Sequence, residues 1–148
     1  MAGRMKVAIL DDYQGIALKV ADWSKVKEKA DIDIFDRHLS KEEAKTVLKP
    51  YDVLCHLRER MAMPRDLFEA LPNLKMCAIV GVEHRTLDKK AASERGVLVC
   101  NDMRPGGGGH GTPELAWGLM LAAARGIAIE HEGMRQGKWQ GKIGRAHV

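Results

Sequence analysis

Short apolar, β-rich runs alternate with stretches of helical spacing along the first hundred or so residues. The runs KVAIL (6–10), IDIFD (32–36), DVLCHL (52–57), KMCAIV (75–80) and VLVCN (97–101) read as short strands. Between them lie helical patterns. ALKVADWSKVKEKA (17–30) places Leu18, Val20 or Ala21, and Val26 on one face. SKEEAKTVL (40–48) opens with Ser40 as N-cap and Glu43 three residues on, a capping box. PRDLFEAL (64–71) puts Pro64 at a first helical position, and TLDKKAASERG (86–96) stops at Gly96.

Strands that alternate with helices imply a parallel sheet covered on both faces. Five such units predict an α/β fold, a flavodoxin-like doubly wound five-stranded parallel sheet spanning residues 5–103. Ligands of such folds meet the loops at the carboxyl ends of the strands. Those loops begin here at Asp11-Asp12, at Arg58-Glu59-Arg60, at Gly81-Val82-Glu83 and at Asn101-Asp102. Beyond a glycine-rich stretch (104–111), TPELAWGLMLAAARGI opens a long connecting helix over 112–138. Thr112 is placed as its N-cap, Pro113 at N1 and Glu114 at its positive end. If helical throughout, it is roughly 40 Å long, with Gly126 and Gly133 as points of bending or ending. Its apolar residues Leu115, Ala116, Trp117, Leu119, Met120 and Leu121 surround the axis, so burial on more than one side is expected.

Composition narrows the functional classes. A chain of 148 residues, 45% hydrophobic and 30% charged, suits a soluble globular protein with a real core. The charge of +4 is mild, no Lys/Arg block of five occurs and aromatics are 5%, which argues against a nucleic-acid surface. Cys55, Cys77 and Cys100 each sit in an apolar run, with no C-x-x-C and no metal-ligand spacing, and read as reduced core thiols. MAGRMKVAIL lacks a signal-type segment, and the apolar run 115–124 is too short to span a bilayer. A cytoplasmic protein without membrane or metal is expected.

Two motifs compete for the chemistry. Gly106, Gly108 and Gly111 satisfy G-x-G-x-x-G, with Glu130 about twenty residues further on. A dinucleotide loop turns straight from the first strand into a helix, whereas here Asp102 to Pro105 intervene after the fifth. The glycines therefore read as a crossover. ILDD resembles the acidic pair of a phosphoacceptor receiver module. The acceptor place five residues after Asp52 holds Leu57, which cannot take a phosphoryl group, and NDMRP has arginine where a lysine belongs. The acidic pair then reads as a polar strand end or turn cap. A standalone flavodoxin-like binding or receiver-type module stays as the alternative.

LPNLKMCAIVGVEHRTLDKKAASERGVLVCN resembles the D-isomer-specific 2-hydroxyacid dehydrogenases, phosphoglycerate dehydrogenase-like, at the end of their substrate-binding domain. Leu71, Pro72, Leu74, Gly81, Leu87, Asp88, Ala91, Ala92, Arg95, Gly96 and Val97 carry the likeness, and MKVAILDDYQGIALKVADW and LRERMAMPRDLFEALPNL extend it.

The resemblance implies an oxidoreductase moving hydride between a small 2-hydroxy or 2-oxo acid and NAD or NADP. It implies a histidine, a carboxylate and an arginine as catalytic groups outside this stretch of sequence, so none is assigned here. His56, His84, His110 and His131 read as surface or loop histidines. The implied substrate wall is Gly81, Val82 and Glu83, whose backbone N–H groups would bind the substrate carboxylate. Arg58 and Arg60 add charge or, on the plainer reading, pair with Glu59 and Glu83. Thr112 is the only cofactor-side candidate. A chain truncated before its nucleotide-binding partner should bind no cofactor alone and should form a homodimer through the 112–138 helix.

Overall fold

The β-rich runs fold as β1 (Met5–Leu10), β2 (Ala30–Ile34), β3 (Val53–His56), β4 (Met76–Ile79) and β5 (Leu98–Asn101) of one parallel sheet. The computed structural model describes residues 3–57, 59–102 and 110–139. It divides into two units, Met1–Met103 and Arg104–Val148. Strand order is β2-β1-β3-β4-β5, the flavodoxin-like wind expected from the alternation.

Register sets which side chains share a face. Cys55 pairs with Ala78, and Ala78 with Cys100, so these lie in one row across the sheet. Leu54, His56, Cys77 and Ile79 project to the opposite face and are buried. Helices α2 (Lys41–Val47), α3 (Arg65–Ala70) and α4 (Lys89–Glu94) supply the core with Ala44, Leu67, Phe68, Ala91 and Ala92.

Local chemistry explains the helix ends. The Ser40 hydroxyl accepts the Glu43 N–H at 3.3 Å, while the Glu43 carboxylate turns to Arg37. Asp88 caps α4 through the Ala91 N–H at 2.8 Å, and Gly96 stops that turn with φ 69°. Pro64 stands at the N-cap of α3 rather than inside it. At the amino end of the sheet, Asp52 accepts the Lys6 N–H at 2.8 Å and the Lys75 ammonium at 2.7 Å, tying β1, β3 and β4 together.

Two elements differ from the sequence pattern. The helix expected over 17–30 shrinks to α1 (Ser24–Lys27). The Asp12 carboxylate accepts the N–H groups of Ile16 and Ala17, both at 3.0 Å, and the Trp23 indole donates to the Ala17 carbonyl at 2.9 Å. Side chains thus take the backbone groups a helix would use. β2 begins at Ala30, two residues before the apolar run, because Met5 to Ile9 pair with Ala30 to Ile34.

The second unit holds α5 (Gly111–Arg125) and α6 (Ile127–Arg135). The expected long helix is cut at Gly126, whose φ of 65° closes α5 with a left-handed cap, whereas Gly133 continues α6. His110, not Thr112, holds the N-cap position of α5, with Thr112 and Pro113 inside the first turn. Gly106, Gly108, the rest of 104–109, and 140–148 lie outside the described residues. Among the described residues the three thiols are free, and no helix is long and apolar enough to cross a membrane.

Candidate functional site

The loop after β4 is built from backbone. Gly81 has φ 131°, a value that side-chain-bearing residues rarely adopt, and it turns the chain at the strand end. Its carbonyl accepts the Asp102 N–H at 3.1 Å, and the Asn101 amide donates to the Val82 carbonyl, so the loops after β4 and β5 are fastened together. Among the described residues, no internal hydrogen bond takes up the N–H groups of Val82 and Glu83. Glu83 bears the charge least welcome beside an anion, yet its carboxylate bonds Lys89 at 2.9 Å, with both side chains more than half exposed. That hydrogen bond, and then the Lys89 charge, hold its carboxyl below the usual range.

The loop after β3 contributes Leu57, Glu59 and Arg60, while Arg58 lies outside the described residues. The Arg60 guanidinium lies 4.2 Å from the Tyr13 ring centroid, a cation–π contact between the loops after β3 and β1. Glu59 accepts the Arg85 N–H at 3.3 Å.

Two histidines correct the sequence reading. His56 and His84 are each 1% exposed, not surface residues, and their rings meet edge to face at 5.0 Å between centroids. His56 ends β3 on its buried face, and His84 directly follows Gly81-Val82-Glu83. Both ring nitrogens of His56 and Nε2 of His84 have no partner among the described residues. Burial first, and the neighbouring His84 second, push the His56 pKa down to about 3, so the ring is neutral at pH 7. The signal was present in the alternation, since Leu54 and His56 share a parity in DVLCHL. His110 and His131 are exposed, as expected.

Asp11 completes the strand-end chemistry. It is the one residue other than glycine with a positive φ, 61°, among those described, and it is 4% exposed with Oδ2 unpartnered. Burial raises its pKa, with His38, Arg60 and His84 opposing. Asp12 behaves as the turn cap expected of it. Beside this pair, in line with β3, stands Leu57, where a receiver would need its phosphoacceptor. Thr112 is exposed on the first turn of α5. No group of three or more His, Cys, Asp or Glu among the described residues is placed to hold a metal ion.

The family model for the "D-isomer specific 2-hydroxyacid dehydrogenase, catalytic domain" matches residues 7–117. A hydroxypyruvate reductase from Thermotoga maritima is 36% identical over 114 residues, 77% of this chain and 36% of that protein. A D-3-phosphoglycerate dehydrogenase from Methanocaldococcus jannaschii is 31% identical over 138 residues, 93% of this chain and 25% of its own length. Among solved structures, a phosphoglycerate oxidoreductase from Vibrio cholerae superposes with a TM-score of 0.74 at 32% identity, covering 95% of this chain and 44% of the other. The chain thus spans well under half the length of these relatives. None of them favours the receiver alternative.

Proposed function

Because the chain belongs to the D-isomer-specific 2-hydroxyacid dehydrogenases, we propose that it supplies the substrate-binding part of an NAD(P)-dependent oxidoreductase of cytoplasmic location. The observation that carries this reading is the loop Gly81-Val82-Glu83, where two N–H groups without internal acceptors stand at the carboxyl end of β4. Fixed backbone donors hold a carboxylate without ordering a side chain. Arg60, one loop away, adds positive charge, and Arg58 is a second candidate. Their role is to bind and orient a small 2-hydroxy or 2-oxo acid.

The glycine run reads as a crossover rather than a dinucleotide cradle because it follows the fifth strand; Gly106 and Gly108 lie outside the described residues, between β5, which ends at Asn101, and α5, which begins at Gly111. Hydride chemistry belongs to NAD(P) held by other parts of such an enzyme, with Thr112 as a contact from this side. Titration of the chain with hydroxypyruvate, followed by amide NMR shifts, should move Gly81 to Glu83 and Arg60 with a Kd of about 1 mM or weaker. Shifts confined elsewhere would refute the assignment. Calorimetry with NAD and NADH should show no binding, and micromolar affinity lost in Gly108→Val would return the glycine run to a phosphate role.

We further propose that α5 and α6 dock a second copy of the chain. Leu115, Trp117, Leu119 and Leu121 are each more than half exposed, more apolar surface than a monomer normally shows. Light scattering behind size exclusion should give a dimer for the full chain and a monomer for residues 1–101. A full-length monomer at high micromolar concentration would contradict this.

A further inference from the structure

A cavity of about 240 Å³ lies beside the carboxyl ends of β1 and β3. In this strand order the connections that leave β1 and β3 run to opposite sides of the sheet, which makes the gap between them its topological switch. Tyr13, Ile16, Ala17, Val20, Leu57 and Val80 give the cavity apolar walls, and Trp23 adds an aromatic surface. Residues 13–23 run as turns beside this space, with the Ile16 and Ala17 N–H groups held by the Asp12 carboxylate.

The polar part of the lining is one-signed. Asp11 and Asp12 both line the cavity, and no lysine, arginine or histidine does. Asp12 is satisfied by the Ile16 and Ala17 amides, whereas Oδ2 of Asp11 is buried without a partner. Asp11 also holds the positive φ of 61°, a conformation that costs free energy and persists where surroundings enforce it. His38, Arg60 and His84 act on Asp11 electrostatically, but none of them lines the cavity, and the Arg60 guanidinium stacks on the Tyr13 ring.

We propose that this cavity binds a small molecule with an apolar body and a primary ammonium group, the ammonium donating to the Asp11 carboxylate. A buried carboxylate is costly without a donor, and a charged donor offsets that cost most fully. Trp23 provides an aromatic surface that suits an ammonium on an apolar stem. The cavity lining reaches Val80 but includes none of Gly81, Val82 or Glu83, whose amides suit an anion, so the proposal does not depend on the dehydrogenase reading.

Phenethylamine and 3-phenylpropionate, near-isosteres of opposite charge, test this on the full chain by amide NMR. The amine should shift Tyr13 to Ala17 and Val80 with a Kd of about 1 mM, and the acid should bind about tenfold more weakly or not at all. Asp11→Asn keeps a side chain that tolerates positive φ and should weaken the amine about tenfold without changing the spectrum elsewhere. Ala21→Phe, which narrows the cavity while leaving Asp11 in place, should weaken the amine too. Equal affinity for both probes, or an unchanged Kd in both variants, overturns the proposal. So does an absence of shifts up to about 20 mM amine.

Discussion

Lowering the pH from 7 to 4 should remove about 3 kcal/mol of the stability of the first unit through His56 alone. The imidazole titrates near 6.5 when unfolded and is held down to about 3 in the fold by burial, then by the charge of His84. Between those values the unfolded chain binds a proton that the folded chain refuses. Stability is therefore full above pH 6.5 and falls about 1.4 kcal/mol per unit as the pH drops towards 3. Asp11 works the other way, since burial raises its carboxyl. Urea unfolding followed by circular dichroism at pH 7, 5.5 and 4 measures the slope. His56→Phe should flatten it at no cost at pH 7, because neither ring nitrogen has a partner to lose. A wild-type midpoint constant from pH 6.5 to 4 would show that His56 is protonated in the fold.

Phe68→Ala should cost about 3–5 kcal/mol, a large part of the stability a domain of this size usually has, and should lower the midpoint of the first unit by about 15 °C or more. Phe68 is fully buried in α3, in the same core as Leu54, Leu67 and Leu71. Removing its ring leaves a cavity that short helices fixed at both ends cannot close. Phe68→Leu, which keeps most of the volume, should cost far less. Thermal melts of the three proteins settle the comparison. A loss under about 1 kcal/mol for the alanine variant would mean that the layer of α2, α3 and α4 collapses freely onto the sheet.

The sheet was legible because its signals are local and redundant. KVAIL, DVLCHL and KMCAIV are short apolar, β-rich runs, and Ser40 and Gly96 mark helix ends by chemistry that acts within four residues. The segment after β1 was misread because its apolar spacing is helical, while one carboxylate, Asp12, captures the amides that would have begun the helix. Propensity lost there to a side-chain hydrogen bond. Gly81-Val82-Glu83 could be picked out through its glycine and its place after a strand. His56 and His84 could not be picked out by residue type, since imidazole is ordinarily a surface group. Only parity along the strand betrays His56, and nothing in the sequence announces that the two rings meet.

The knot made by Asp52 at the amino end of the sheet bears on how such a protein diverges. One carboxylate there grips the backbone of β1 and the lysine that precedes β4. The loops assigned to the substrate acid stand at the far ends of the same strands and do not depend on that knot. Descent can therefore rewrite the ligand-facing loops, lengthening one or exchanging an arginine, while strand order is inherited intact. A change at Asp52 touches no ligand but loosens three strands at once. Mutational tolerance should be lowest beside Asp52 and higher in the loops at the far strand ends, Gly81 itself excepted, because its φ of 131° strains any side chain.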